Sequence, residues 1–209
     1  MGNPLCKVCG LTRPEDVALC LELGVDYTGF IFVPSSPRYV TPKAASSLPK
    51  GSARRVGVFA GMPVEAMLHC VHEAKLDFLQ LHGGESPEVC RALGPERVIK
   101  VLWPESASPA SLQADMELFA PVCAYFLLDA GKGGGGTGNS LAFAEIAKFS
   151  FPRPWFLAGG LGPENVGNAL ALCHPDGVDL NSALEEARGK KNPHLLRQAI
   201  ATVQSYYPL

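Results

Sequence analysis

One alternation runs the length of the chain: a short, nearly continuous apolar run, a polar or glycine-bearing stretch, then a segment with apolar residues at helical spacing. Leu5 to Cys9 reads as a strand and Pro14 to Leu23 as a helix that Gly24 stops, with Thr12 placed to cap it. Tyr27 to Phe32, the polar loop Pro34 to Arg38 and a helix from Pro42 to Leu48 make a second unit. The third is Arg55 to Phe59 with Pro63 to Lys75, the fourth Phe78 to Leu81 with Pro87 to Leu93, and the fifth Arg97 to Val101 with Pro109 to Ala120. Ala124 to Leu128 with Leu141 to Phe149 is the sixth. A strand from Trp155 with a helix from Pro163 to Cys173 is the seventh, and Gly177 to Leu180 with Pro193 to Tyr206 is the eighth.

Strands this uniformly apolar have no solvated face, which is the mark of a parallel sheet covered on both sides. Eight such units in 209 residues predict an α/β fold, a single-domain (β/α)8 TIM barrel over residues 1–209. A doubly wound open sheet is the alternative topology. No stretch reads as a linker, and the glycine run Gly131 to Gly138, inside the sixth unit, reads as a lid that closes over a ligand.

Charge and composition narrow the partner. The formal net charge is −2 with acidic and basic residues interspersed, so the electrostatic footprint of a nucleic-acid or membrane-surface binder is missing. No apolar stretch approaches the roughly 20 residues of a membrane span. Met1 to Pro4 leads into the first strand without a charged-then-apolar leader, so the chain is expected to be cytoplasmic, with a small-molecule partner. Seven scattered cysteines suit reduced thiols rather than a disulfide framework.

In such a barrel the chemistry belongs at the carboxyl ends of the strands. Cys9, Arg38, His82 and Asp129 stand there, and Gly159-Gly160 after strand 7 with Asn181-Ser182 after strand 8 make a candidate phosphate cradle. An ordinary tight turn is the plainer account of the two glycines. Cys6-Lys7-Val8-Cys9 matches C-x-x-C, but within a strand a separation of three puts the two thiols on opposite faces, which argues against a redox pair or a zinc site. His69, Cys70 and His72 have no evident fourth ligand. Lys7 and Cys9, two apart, share a face, where an ammonium favours thiolate and would make Cys9 a base; a structural Lys–carboxylate pair beside an inert thiol is the alternative. Asp129 ends an apolar strand, where burial would raise its pKa and let it carry a proton, unless it caps the glycine loop. Arg38 offers a fork suited to a carboxylate, or is a solvated loop charge. Gly131 to Gly136 formally fits G-x-G-x-x-G, but no helix opens inside it, and neither a P-loop nor a nucleophile elbow is present.

Taken together, Lys7-Val8-Cys9-Gly10-Leu11-Thr12, Gly29-Phe30-Ile31-Phe32, Ser36-Pro37-Arg38, Val56-Gly57-Val58-Phe59, Gln80-Leu81-His82-Gly83, Gly135-Gly136-Thr137-Gly138 and Leu157-Ala158-Gly159-Gly160-Leu161 resemble the phosphoribosylanthranilate isomerase family, collinearly from strand 1 through strand 8. The resemblance implies a (β/α)8 barrel that carries out an Amadori rearrangement of a phosphoribosyl substrate in tryptophan biosynthesis, without cofactor or metal, as a monomer or homodimer. It implies Asp129 as general acid to the ribose ring oxygen and Cys9 as the base that takes the C2 proton. Arg38 would hold the anthranilate carboxylate, Lys7, Gln80 and His82 would contact substrate, and Gly159, Gly160, Asn181 and Ser182 would hold phosphate.

The eighth unit departs from the family's Ser-Gly-Val-Glu and Pro-Gly-x-Lys-Asp, reading Ser182-Ala183-Leu184-Glu185 and Arg188-Gly189-Lys190-Lys191-Asn192. Ala183 would tolerate positive φ poorly and adds a methyl beside the phosphate cradle. Asn192 before Pro193 still supplies a helix cap. Two other functions stand beside the isomerase: another phosphosugar isomerase of this fold, and a phosphometabolite-binding barrel without turnover. Cys9, Arg38 and Asp129 occurring together argue against the second.

Overall fold

The computed structural model describes residues 3–104, 108–130, 143 and 145–206. Eight parallel strands follow one another around a closed barrel: β1 (Leu5–Val8), β2 (Tyr27–Ile31), β3 (Arg54–Phe59), β4 (Phe78–Leu81), β5 (Val98–Leu102), β6 (Tyr125–Asp129), β7 (Trp155–Ala158) and β8 (Gly177–Leu180). The ring is sealed by β1 against β8, with Lys7 opposite Asp179 and Val8 opposite Leu180. Between strands run α1 (Pro14–Glu22), α2 (Pro42–Ser47), α3 (Val64–Ala74), α4 (Pro87–Leu93), α5 (Pro109–Phe119) and α6 (Val166–Cys173), and α7 (Pro193–Gln204) closes the chain. The glycine lid lies outside the described residues, and the expected helix Leu141 to Phe149 lies partly outside them.

Two cores follow from strands buried on both faces. Outward residues such as Val8, Phe30, Leu79, Leu128 and Leu180 join helix residues such as Val17, Met67 and Ile200 in one cluster. Inward residues Tyr27, Val56, Phe78, Ile99, Val101, Leu127, Phe156 and Ala158 fill the barrel itself. Burying such a side chain contributes about 1.5–3 kcal/mol each, so the alternation of strand faces fixes the register.

Helix starts follow the prolines: α1, α2, α4, α5 and α7 each carry one in the first turn. Asn192 caps α7 as expected, its Oδ1 accepting from the N–H groups of His194 and Leu195. Thr12 does not cap α1. With Pro14 first in the helix, Arg13 occupies the capping position, and the Thr12 hydroxyl donates instead to the Gly189 carbonyl at 2.6 Å. α6 begins at Val166 rather than Pro163, because Gly162 to Asn165 form a turn in which Asn165 Oδ1 accepts from Gly162 N–H and Nδ2 donates to Gly160 O. The stretch after Leu184 holds a small hairpin that the sequence pattern did not predict, β9 (Glu185–Ala187) against β10 (Lys190–Lys191), turned at Gly189.

Candidate active site

A cavity of about 450 Å³ opens at the carboxyl ends of the strands. Cys9, Gln80, His82, Asp129, Gly159, Gly160, Asn181 and Ser182 line it, so eight of the ten candidate residues converge. Lys7 and Arg38 are not in its wall.

The floor is built by the β1–β8 seam. Cys9, the first residue past β1, is 3 % exposed, and its N–H donates to Leu180 O at 2.8 Å. Cys6, on the opposite face, is part of the outer core. The Lys7 ammonium is fully enclosed and donates to Asp179 Oδ2 at 2.7 Å. Burial works against that ammonium, but Asp179 and then Cys9 more than offset it, leaving Lys7 above the ordinary lysine value. Burial also lifts the Asp179 carboxyl, against the pull of Lys7. Cys9 shows both alternatives at once. Burial pushes its thiol up, Lys7 draws it back, and burial wins, so the expected bias to thiolate is present but outweighed. The ammonium does pair with a carboxylate, as the structural alternative had it, while remaining close enough to act on the thiol.

Across the mouth stands the second pair. Asp129 is the last residue of β6, and its side chain is 25 % exposed, so it is not the deeply buried carboxyl that the apolar strand led us to expect. Its Oδ2 lies 3.7 Å from His82 Nε2, and the His82 ring meets Trp103 edge-on at 5.4 Å. Burial holds the His82 imidazolium below the usual histidine value, partly opposed by Asp129, which favours a neutral ring at neutral pH. Gln80 Nε2 approaches His82 Nδ1 at 3.5 Å. Gln80 Oε1 and Asp179 Oδ1 are the buried side-chain atoms left without a hydrogen-bond partner among the described residues, and both residues line this cavity.

The third side is backbone. Gly159 and Gly160 have φ of +109° and +63°, and a Cβ on Gly159 would meet Ala130 N at 2.9 Å, so the turn needs glycine at both positions. Ser182 opens a single 3₁₀ turn, Ser182–Leu184, whose first N–H groups have no partner inside it. Ala183 sits in that turn and is not among the residues with positive φ, which removes the strain expected there. Its methyl packs toward Gly162, where a Cβ would approach it to 2.9 Å.

Arg38, outside the cavity wall, is not a solvated charge. Its Nε and Nη2 donate to Glu185 Oε1 and Oε2 at 2.8 and 2.6 Å, a bidentate pair the sequence did not suggest. Glu185 and Asp179 are the residues that sequence reasoning missed. Asp179 carried a signal: a lone carboxylate in an apolar strand needs a partner, and barrel closure sets β8 beside Lys7. Among the described residues no group of three or more His, Cys, Asp or Glu is arranged to hold a metal ion, and no helix is long and apolar enough to cross a membrane.

Comparison with known proteins points to a single family. The family model described as N-(5′-phosphoribosyl)anthranilate isomerase matches residues 6–202. The N-(5′-phosphoribosyl)anthranilate isomerase of Maridesulfovibrio salexigens is 48 % identical over 200 residues, 95 % of this chain and 98 % of that protein. A phosphoribosylanthranilate isomerase crystallised with reduced 1-(o-carboxyphenylamino)-1-deoxyribulose 5-phosphate superposes with a TM-score of 0.80 at 32 % identity, over 97 % of this chain and all of that one. Monomers generated from the dimeric isomerase of Thermotoga maritima superpose with a TM-score of 0.79 at 31 % identity, again over 97 % and 100 %.

Proposed function

The chain belongs to the N-(5′-phosphoribosyl)anthranilate isomerase family and is an isomerase of tryptophan biosynthesis, and we propose that Cys9 and Asp129 are the base and the acid of its Amadori rearrangement. Asp129 protonates the ribose ring oxygen, and the ring opens to a Schiff base. Cys9 then removes the C2 proton, and the resulting enaminol rearranges to the 1-deoxyribulose product. The observation that carries this reading is convergence: a thiol and a carboxyl face one cavity that is also lined by the Gly159-Gly160 and Ser182 backbone, a phosphate-type cradle.

Several features support the assignment. The Lys7 ammonium stabilises the Cys9 thiolate, the form that can accept the C2 proton, and so opposes the burial that favours the thiol. The unpartnered oxygens of Gln80 and Asp179 suit donor hydroxyls of the ribose chain, since a buried acceptor is costly until paired. Asp129 keeps a solvent-exposed edge at the mouth of the cavity, within reach of a bound substrate. The substrate's carboxylate belongs at Arg38 and its phosphate at Gly159, Gly160 and Ser182. The test is steady-state conversion of N-(5′-phosphoribosyl)anthranilate by wild type, Cys9→Ala and Asp129→Asn, with folding checked by circular dichroism. Each substitution should lower kcat about 10²- to 10⁴-fold. Undiminished turnover in either variant removes that residue from the mechanism.

A further inference from the structure

The eighth-unit hairpin does more than connect β8 to α7. Lys191 is 1 % exposed, and its ammonium makes three hydrogen bonds: to Asn181 O at 3.0 Å, to Asn181 Oδ1 at 2.8 Å and to Glu185 Oε1 at 3.1 Å. An ammonium has three protons, so this one is fully satisfied. Glu185 is equally well held. Its Oε1 also accepts from Arg38 Nε and from Gly189 N–H at 3.3 Å, and its Oε2 from Arg38 Nη2. Burial works to raise the Glu185 carboxyl, but Arg38 and Lys191 hold it below the usual carboxylate range. The hairpin is itself tied to the first unit by Thr12 and by Asp16, which accepts from Lys191 N–H at 3.1 Å.

We propose that Glu185 and Lys191 are positioning residues that join the two ends of the substrate site: Lys191 fixes Asn181 beside the phosphate cradle, and through Glu185 it aims Arg38 at the substrate carboxylate. The geometry favours aiming over competition. Glu185 occupies two of the five guanidinium donors and leaves the Nη1/Nη2 end of the fork for a second carboxylate. Both targets close on one point of backbone, since a Cβ on Gly10, at φ +70°, would lie 2.7 Å from Arg38 Cδ and 2.6 Å from Asn181 Oδ1. A shift of Lys191 therefore disturbs both ends together, whereas a change at Glu185 leaves the two Lys191 bonds to Asn181 in place and falls mainly on the Arg38 end. This rests on the functional reading above for what Arg38 binds.

The test compares wild type, Glu185→Gln, Lys191→Met and Lys191→Arg in two assays: kcat and KM for N-(5′-phosphoribosyl)anthranilate, and calorimetric binding of inorganic phosphate. Glu185→Gln should raise KM about 10- to 100-fold, the range expected for losing a hydrogen bond between charged groups, while phosphate affinity and kcat stay within about threefold. Lys191→Met should raise KM and weaken phosphate together, and Lys191→Arg should restore part of both. An unchanged KM in Glu185→Gln overturns the proposal, and a lowered KM overturns it by showing that Glu185 competes with substrate. Should Lys191→Met fail to fold, Lys191→Arg and Glu185→Gln decide the matter by the same split. Absence of turnover by the wild type would count against the functional reading, while the phosphate measurements would still judge the Lys191–Asn181 half.

Discussion

The two ends of this barrel are made from the same eight strands and could hardly differ more. At the amino ends, Tyr27, Phe78, Tyr125 and Phe156 meet edge to face with ring centroids 5.4–6.4 Å apart, and the Arg54 guanidinium lies over Tyr27 and Phe78. At the carboxyl ends the positions that continue the same inward faces are Lys7, Cys9, Gln80, Asp129 and Asp179. One end gains free energy from apolar contact without regard to protonation. The other holds charges away from water and keeps two acceptors unpaired. Stability and chemistry are thus divided along the barrel axis, a few residues apart on each strand.

Lys7→Met tests the one place where the division should fail, because the seam pair serves both. Removing the ammonium strands a buried carboxylate, which costs about 3–5 kcal/mol of stability, and it also removes the group that draws the Cys9 thiol down, so turnover should fall with it. The sign of the pH dependence is fixed. Asp179 already sits above the ordinary carboxylate value and rises further without Lys7, so the folded state takes up the proton more readily than the unfolded one. Urea denaturation should therefore show the deficit shrinking as pH falls through the folded-state pKa of Asp179. Phe156→Ala should cost a similar 3–5 kcal/mol, or about that, by leaving a cavity in the aromatic plug, yet leave kcat unchanged at temperatures where the protein is folded. A parallel loss of kcat would mean the plug and the mouth are not separate. Arg54→Ala is the mildest probe: an exposed cation–aromatic contact contributes about 0.5–1 kcal/mol, so a small fall in melting temperature with unaltered kinetics is expected.

The eight strands and their order were legible because they depend on local pattern. Continuous apolar runs separated by helical spacing give eight units, and the two-residue rule placed Lys7 and Cys9 on one face. What the pattern could not supply is contact across the fold. Glu185, at the start of β9, meets Arg38 from 147 residues away, with no register to predict it. The hairpin that carries Glu185 has strands of three and two residues, too short for any periodicity. The start of α6 misled for a local reason: Pro163 suits a first helical turn, but the Asn165 side chain ties Gly160 and Gly162 into a loop and delays the helix. Ala183 misled for the opposite reason, since a glycine-bearing family pattern suggested a left-handed backbone that the 3₁₀ turn does not use.

The β1–β8 seam sets a schedule for synthesis. Lys7 and Asp179 are 172 residues apart, and a ribosome adding about 5–20 residues per second needs roughly 10–30 s to pass from one to the other. Throughout that interval the first strand has an open hydrogen-bonding edge and a lysine without its carboxylate, so a nascent chain presents a sticky margin until β8 arrives. The ion pair at the base of the cavity is in this sense a completion signal, formed only when the whole circle has been made.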